Sequence, residues 1–159
     1  EEKFSTAKEF IEKGITVKDV FPPGQVVDIH AVTKGKGLQG PIKRFGIAKK
    51  QHKTEKGVRR PGTLGPWTPS RVTFRAPLMG QMGFFSRVQY NNKIIAIENI
   101  KEKDINIKGG FQHYGNINSD YLVIKGSIQG VQKRPIVVTF PERLSKKSKK
   151  LNFELVKLQ

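Results

Sequence analysis

Apolar positions along the chain fall into short clustered or alternating runs, separated by one long stretch with no period. Phe4, Ala7, Phe10 and Ile11 lie near one face of a 3.6-residue repeat, so residues 5–13 predict a short helix. Thr6 and Glu9 stand at capping-box spacing, and Gly14 is placed as a stop. The segment Phe21-Pro22-Pro23-Gly24 predicts a turn, and residues 25–33 (QVVDIHAVT) predict a strand. Strand-like runs return at 71–76, 84–90, 93–98, 103–107, 120–126, 135–140 and 152–158. Asn91-Asn92 sits between two of them and predicts a tight hairpin, because asparagine tolerates positive φ. Gly109-Gly110 and residues 115–119 break others. Many short strands at this spacing imply a mainly β protein, an antiparallel barrel or sandwich. No internal repeat is present.

Residues 34–70 carry no sustained period and are rich in Gly, Pro, Lys and Arg. Their apolar residues are too few for a core of their own. A stretch this long within a compact domain is expected to be functional or disordered. The expected architecture is therefore a small antiparallel β-body with a long basic excursion between strands.

Charge sharpens this picture. The 159 residues include 30 Lys plus Arg and 13 Asp plus Glu, a formal net charge of +17. Such an imbalance opposes compaction and points to a polyanionic partner. Residues 1–33 hold four bases and six acids. Residues 34–75 hold twelve bases and the single acid Glu55, so about a quarter of the chain carries +11. Residues 76–141 and 142–159 carry +4 each. The footprint is local. With no cysteine there is no disulfide and no thiolate chemistry. No run of about 18 apolar residues appears, so no membrane span is expected, and without a basic region followed by an apolar run no secretory signal is expected. Position 1 is Glu, which suggests a processed product or a fragment.

The candidate chemistry is sparse. Gly35-Lys36-Gly37-Leu38-Gln39-Gly40 matches G-x-G-x-x-G after a predicted strand, with Glu55 further on. A dinucleotide site also needs a helix opening at the third glycine and a second parallel strand. Pro41 could start a helix, but Gly46 follows soon after and the stretch to Lys56 is polybasic. A flexible glycine turn approaching phosphates is the better reading. His30, His52 and His113 stand at no metal-ligand spacing; His30 reads as structural and His52 as facing solvent or phosphate. Glu98, Glu102 and Asp104 read as a charged hairpin loop rather than paired catalytic carboxylates. Trp67 lies between prolines in Gly65-Pro66-Trp67-Thr68-Pro69, and core packing and presentation to RNA remain equally open for it. Phe84, Phe85 and Phe111 read as core or cross-strand residues. The run 143–150 (RLSKKSKK) reads as a second phosphate-binding patch.

A basic arm of this length cannot offset its ordering entropy alone. RNA or DNA can supply the partner, because each neutralised phosphate releases counterions. No recognition helix is visible, so a folded RNA with crevices suits it better than a regular duplex.

Val32-Thr33-Lys34-Gly35-Lys36-Gly37 and Ile42-Lys43-Arg44-Phe45-Gly46 resemble the large-subunit ribosomal protein L-three family. Arg60-Pro61-Gly62-Thr63-Leu64-Gly65, Gly80-Gln81-Met82-Gly83, and Leu122 to Ile128 with Gly130 resemble it in the same order, from about Lys18 to about Thr139. Gly65 to Pro69 looks like the archaeal and eukaryotic branch. The resemblance implies a structural ribosomal protein rather than an enzyme, in the cytoplasm within the large subunit. It implies a translation-protein-type antiparallel β-barrel on large-subunit rRNA, with an extension reaching toward the peptidyl transferase centre. Members are about twice this length, so the chain would be a later portion with an incomplete barrel.

The expected division is a helix and first strand at 1–33, the rRNA-penetrating extension at 34–75, remaining barrel strands at 76–141, and a basic run with a terminal strand at 142–159. Expected RNA contacts are Lys34, Lys36, Lys43, Arg44, Lys49, Lys50, His52, Lys53, Lys56, Arg59, Arg60, Trp67, Arg71, Arg75, Gln81 and Arg87, then Lys146, Lys147, Lys149 and Lys150. The expected partners are large-subunit rRNA and neighbouring ribosomal proteins, with no membrane, cofactor, metal, small-molecule substrate or homo-oligomer. The alternatives are an RNA-modifying or RNA-cleaving enzyme on a β-scaffold, which would use acids such as Glu98 and Asp104 or His52, and a non-ribosomal basic RNA-binding module.

Overall fold

The computed structural model describes residues 2–153. Helix α1 spans Glu2–Lys13, so Thr6 and Glu9 lie inside it rather than at the predicted start. Gly14 ends it as expected, with φ +71 and its N–H donated to the Phe10 carbonyl at 3.0 Å. Phe4, Phe10 and Ile11 on this helix are exposed. The capping interaction occurs one element later. The Asp19 carboxylate accepts from the Thr16 hydroxyl at 2.6 Å and the Thr16 N–H at 2.9 Å, at the start of α2 (Val17–Val20). Those two bonds, the hydroxyl's first, hold Asp19 below the usual carboxylate range.

After the turn at Pro23-Gly24 comes β1 (Val26–Val32), then β2 (Leu38–Gln39), α3 (Pro41–Phe45) and β3 (Gly80–Gln81). The long strand β4 (Ser86–Asn99) follows, with β5 (Asp120–Ile124), β6 (Val137–Thr139) and α4 (Lys146–Lys150). The main sheet has the order β5-β4-β1-β6, and β2 and β3 form a separate two-stranded ribbon. β6 runs antiparallel to β1 with Ile29 opposite Val138, and β5 antiparallel to β4 with Ile97 opposite Leu122. The pairing slips between Ile94 and Ala96, which leaves Ile95 as an extra, bulged residue. Among the described residues this sheet is open, with β5 and β6 at its edges.

The core is small. Phe21, Val27, Ile29, Ile94 and Ile97 are buried together, and Val17, Leu122, Ile124 and Val138 pack against them. One carboxylate is buried here: Asp28, 1% exposed, accepts the N–H of Asn91 at 2.7 Å and of Glu142 at 3.1 Å. A buried acid so satisfied ties the chain after β6 back to the middle of β4.

Several predicted elements differ, each for a local reason. The runs 84–90 and 93–98 are one strand, not a hairpin. Asn91 does take positive φ (58°), but its amide donates to the Arg143 carbonyl and accepts the Ser145 N–H, so the residue anchors a bend inside β4. The run 103–107 is not a strand, because Asn106 turns its side chain on the Ile117 backbone, donating to its carbonyl and accepting its N–H. The run 71–76 is not one either: the Thr73 N–H and hydroxyl both donate to the Leu64 carbonyl. Residues 152 and 153 are not in a strand, and the rest of the predicted 152–158 strand lies outside the described residues.

The chain divides into two compact units. Residues up to Ala31 and from Arg87 onward form the sheet unit, and Val32–Ser86 form the other.

Candidate nucleic-acid interface

The Val32–Ser86 unit holds all twelve bases of the predicted excursion and only Glu55 against them. It has no core: Gly83 is its only buried residue. Backbone hydrogen bonds hold it instead. The ribbon pairs Leu38 with Gln81 and Gln39 with Gly80. Beyond it, the Lys36 N–H donates to Met82 at 2.9 Å, the Met82 N–H to Gly37 at 3.0 Å, and the Thr33 N–H to Phe85 at 2.9 Å. The Gly83 backbone sits against the Lys34 carbonyl at φ +77, where any Cβ would overlap that oxygen.

The glycine motif now has a shape. Pro41 occupies the first helical turn after Gly40, and Gly46 stops α3 in the left-handed region (φ 69°) with its N–H on the Ile42 carbonyl at 2.9 Å. The helix has five residues and the adjoining ribbon is antiparallel, so the parallel strand of a dinucleotide site is missing here.

Most predicted contact residues are presented to solvent. Lys34, Lys36, Lys43, Lys49, Lys50, His52, Lys53, Lys56, Arg59, Arg60, Arg71 and Arg75 are exposed. Arg44 differs from them. Its Nε donates to the Gln81 carbonyl at 3.1 Å and its Nη1 to the Leu78 carbonyl at 3.0 Å, while the guanidinium lies 5.0 Å from the Phe45 ring centroid. A Cβ on Gly80 would come within 2.8 Å of that guanidinium carbon. Arg44 therefore joins the helical turn to the segment around β3. Gln81 is partly engaged too, donating to the Gly83 carbonyl at 3.2 Å. Arg87 lies at the start of the sheet unit, with its backbone carbonyl accepting from Gln129 at 2.9 Å.

Trp67 is 92% exposed, which removes the core-anchor reading. Its carbonyl accepts from the Ser70 hydroxyl. Phe74 is fully exposed as well, a feature concealed by the strand-like alternation of Val72 and Phe74. Phe84 and Phe85 are also exposed rather than core residues, because the unit they close has no core to bury them.

In the sheet unit, Lys146, Lys147, Lys149 and Lys150 are exposed on and around the single turn of α4. His30 makes a β1–β6 cross-strand contact, 3.1 Å from the Thr139 hydroxyl. Glu98 accepts from the Tyr121 hydroxyl at 2.7 Å and from Lys103 at 3.0 Å. The Tyr121 bond and then Lys103 hold Glu98 below the usual carboxylate range. Burial and then Glu98 push Tyr121 up to about 12. Glu102 pairs with Lys18 at 3.4 Å. These acids are occupied by structural partners. Among the described residues, no three His, Asp or Glu side chains gather around a metal-sized space. No helix among the described residues is long and apolar enough to cross a membrane.

The chain thus combines a basic unit without a hydrophobic core and a unit built on a small antiparallel sheet, and comparison gives the family. Residues 1–159 match ribosomal protein L3, and the chain belongs to that family. It is 45% identical over 150 residues to the large ribosomal subunit protein uL3 of Pyrobaculum calidifontis, covering 93% of this chain and 44% of that one. The Caldivirga maquilingensis protein of the same name is 47% identical over 145 residues, 90% of this chain and 41% of its own. That of Methanocella arvoryzae is 44% identical over 136 residues, 84% and 40% of the two. These sources are archaeal, in keeping with the branch suggested by Gly65 to Pro69. The family is one of ribosomal proteins, not enzymes. The chain spans less than half the length of these relatives.

Proposed function

We propose that this chain acts as a structural constituent of the cytoplasmic large ribosomal subunit and binds rRNA through the Val32–Ser86 unit. The observation that carries the reading is that unit itself. It holds +11, and every base but Arg44 is exposed. Its lack of a buried side chain means that packing contributes little to its order, so phosphate neutralisation must supply the rest. In this reading the unit is the rRNA-penetrating extension that reaches toward the peptidyl transferase centre, with Trp67 near its inner end as a stacking surface. Lys34 to Arg75 and Gln81 line its two limbs, Arg87 in the sheet unit is a further contact, and Lys146 to Lys150 form a second patch. The sheet belongs to a translation-protein-type barrel, neighbouring ribosomal proteins complete the surroundings, and the protein serves subunit assembly and translation.

Equilibrium binding to a transcript of large-subunit rRNA across a salt series tests this. Log affinity is expected to fall by roughly 0.7–0.9 per phosphate contact for each tenfold rise in salt. Binding that stays flat between about 50 and 200 mM salt overturns the reading. Failure to co-sediment with large ribosomal subunits would leave a non-ribosomal module instead.

A further inference from the structure

One cation in the sheet unit is buried with no carboxylate beside it among the described residues. Lys93 on β4 is only 7% exposed, yet among the described residues no carboxylate pairs with it; the ion pairs there are Lys18–Glu102 and Lys103–Glu98. Its ammonium donates to the Ser148 and Lys149 carbonyls at 3.5 and 3.4 Å and to the Asn152 side-chain oxygen at 3.5 Å. These acceptors are neutral and each bond is long. Carbonyls at the end of a helical turn favour a cation, but they leave a whole positive charge uncompensated in a buried setting. Buried charges in folded proteins are otherwise paired.

The ammonium borders a cavity of about 230 Å³, lined also by Asn91, Asn92, Lys125 and Gly126. Across it, the exposed Lys125 holds its ammonium 3.7 Å from the Phe153 ring centroid. The ring fixes that cation without neutralising it. A volume several times the roughly 30 Å³ share of one water admits a hydrated oxyanion. The exposed lysines of α4 adjoin the site and add to its field.

We infer that this cavity is a phosphate-binding pocket for an RNA backbone, with Lys125 as its ligand and the buried charge of Lys93 adding to its field. The inference rests on the reading of the chain as an rRNA-binding protein and adds a built site outside the basic unit. A single phosphodiester brings a negative charge into the field of Lys93, whose three N–H donors are taken by the Ser148, Lys149 and Asn152 oxygens, and accepts from the Lys125 ammonium.

The test is binding of the full chain to a large-subunit rRNA transcript across a KCl series. Lys125→Gln is expected to weaken binding several-fold and to lower the log–log salt slope by about one contact. Phe153→Leu removes the ring but no charge, and should leave the slope unchanged. Lys93→Gln should lower it as Lys125→Gln does, with protection of the Lys149 N–H checking that α4 still forms. If Lys93→Gln disrupts α4, Lys125→Gln decides alone. A steep wild-type slope that Lys125→Gln leaves intact overturns the pocket. A flat wild-type slope overturns the parent reading and the pocket with it.

Discussion

The charge of Arg44 is legible in the sequence, whereas its surroundings come only from the fold. In a run of lysines and arginines it looks like one more phosphate ligand. In the structure its guanidinium is taken up by the Leu78 and Gln81 carbonyls. Only a fork of several fixed N–H donors can serve both at once, so lysine would not replace it. Arg44→Gln should therefore act on order before it acts on RNA. It is expected to remove up to about 1 kcal/mol per lost hydrogen bond from local stability. The Met82 N–H, which donates to Gly37 in the same ribbon, should then exchange faster in hydrogen-exchange measurements. A variant with unchanged ribbon protection, but with a salt slope lowered by one contact, would return Arg44 to the phosphate ligands.

At the scale of elements, side-chain hydrogen bonds to backbone decide what periodicity alone leaves ambiguous. Asn91 turned a predicted hairpin into one strand of 14 residues, and Asn106 turned a predicted strand into an irregular segment. Neither outcome is written in the alternation of apolar positions, since each depends on a partner far along the chain. The β4–β5 pair has a pH signature. Tyr121 is buried and donates to Glu98, so its proton is held to about 12 against an ordinary 10. A group whose folded pKa is raised contributes stability that is fully present below its unfolded value and lost as pH rises through the folded one. Stability should thus fall between about pH 10 and 12 through this group. Glu98 acts in the opposite direction: its lowered pKa gives a contribution present above the ordinary carboxylate range and lost on acidification. Tyr121→Phe should abolish the tyrosinate absorbance step near 12 and the part of the alkaline loss that depends on it. A step that persists in this variant would assign it to another tyrosine.

At the scale of the whole molecule, the two units are held by different forces. The sheet unit has a hydrophobic core around Ile29 and Ile94, whereas Val32–Ser86 has backbone hydrogen bonds and no buried side chain. Hydrogen exchange in the free protein should therefore show protection in β1 and β4 and little in residues 34–70, with protection there rising on addition of rRNA. Strong protection of 34–70 without RNA would contradict it. Much of this was legible in the sequence. The +11 charge of residues 34–75 follows from residue counts, the coreless character from too few apolar residues, and the β1 strand from QVVDIHAVT, because each depends on local composition alone. The tertiary structure decided the rest: that the Arg44 guanidinium meets the Leu78 and Gln81 carbonyls, that Trp67 and Phe74 face solvent, and that Lys93 is buried with no acid beside it among the described residues. Those outcomes depend on which distant groups meet, since burial and pairing arise only when strands and turns far apart along the chain come together.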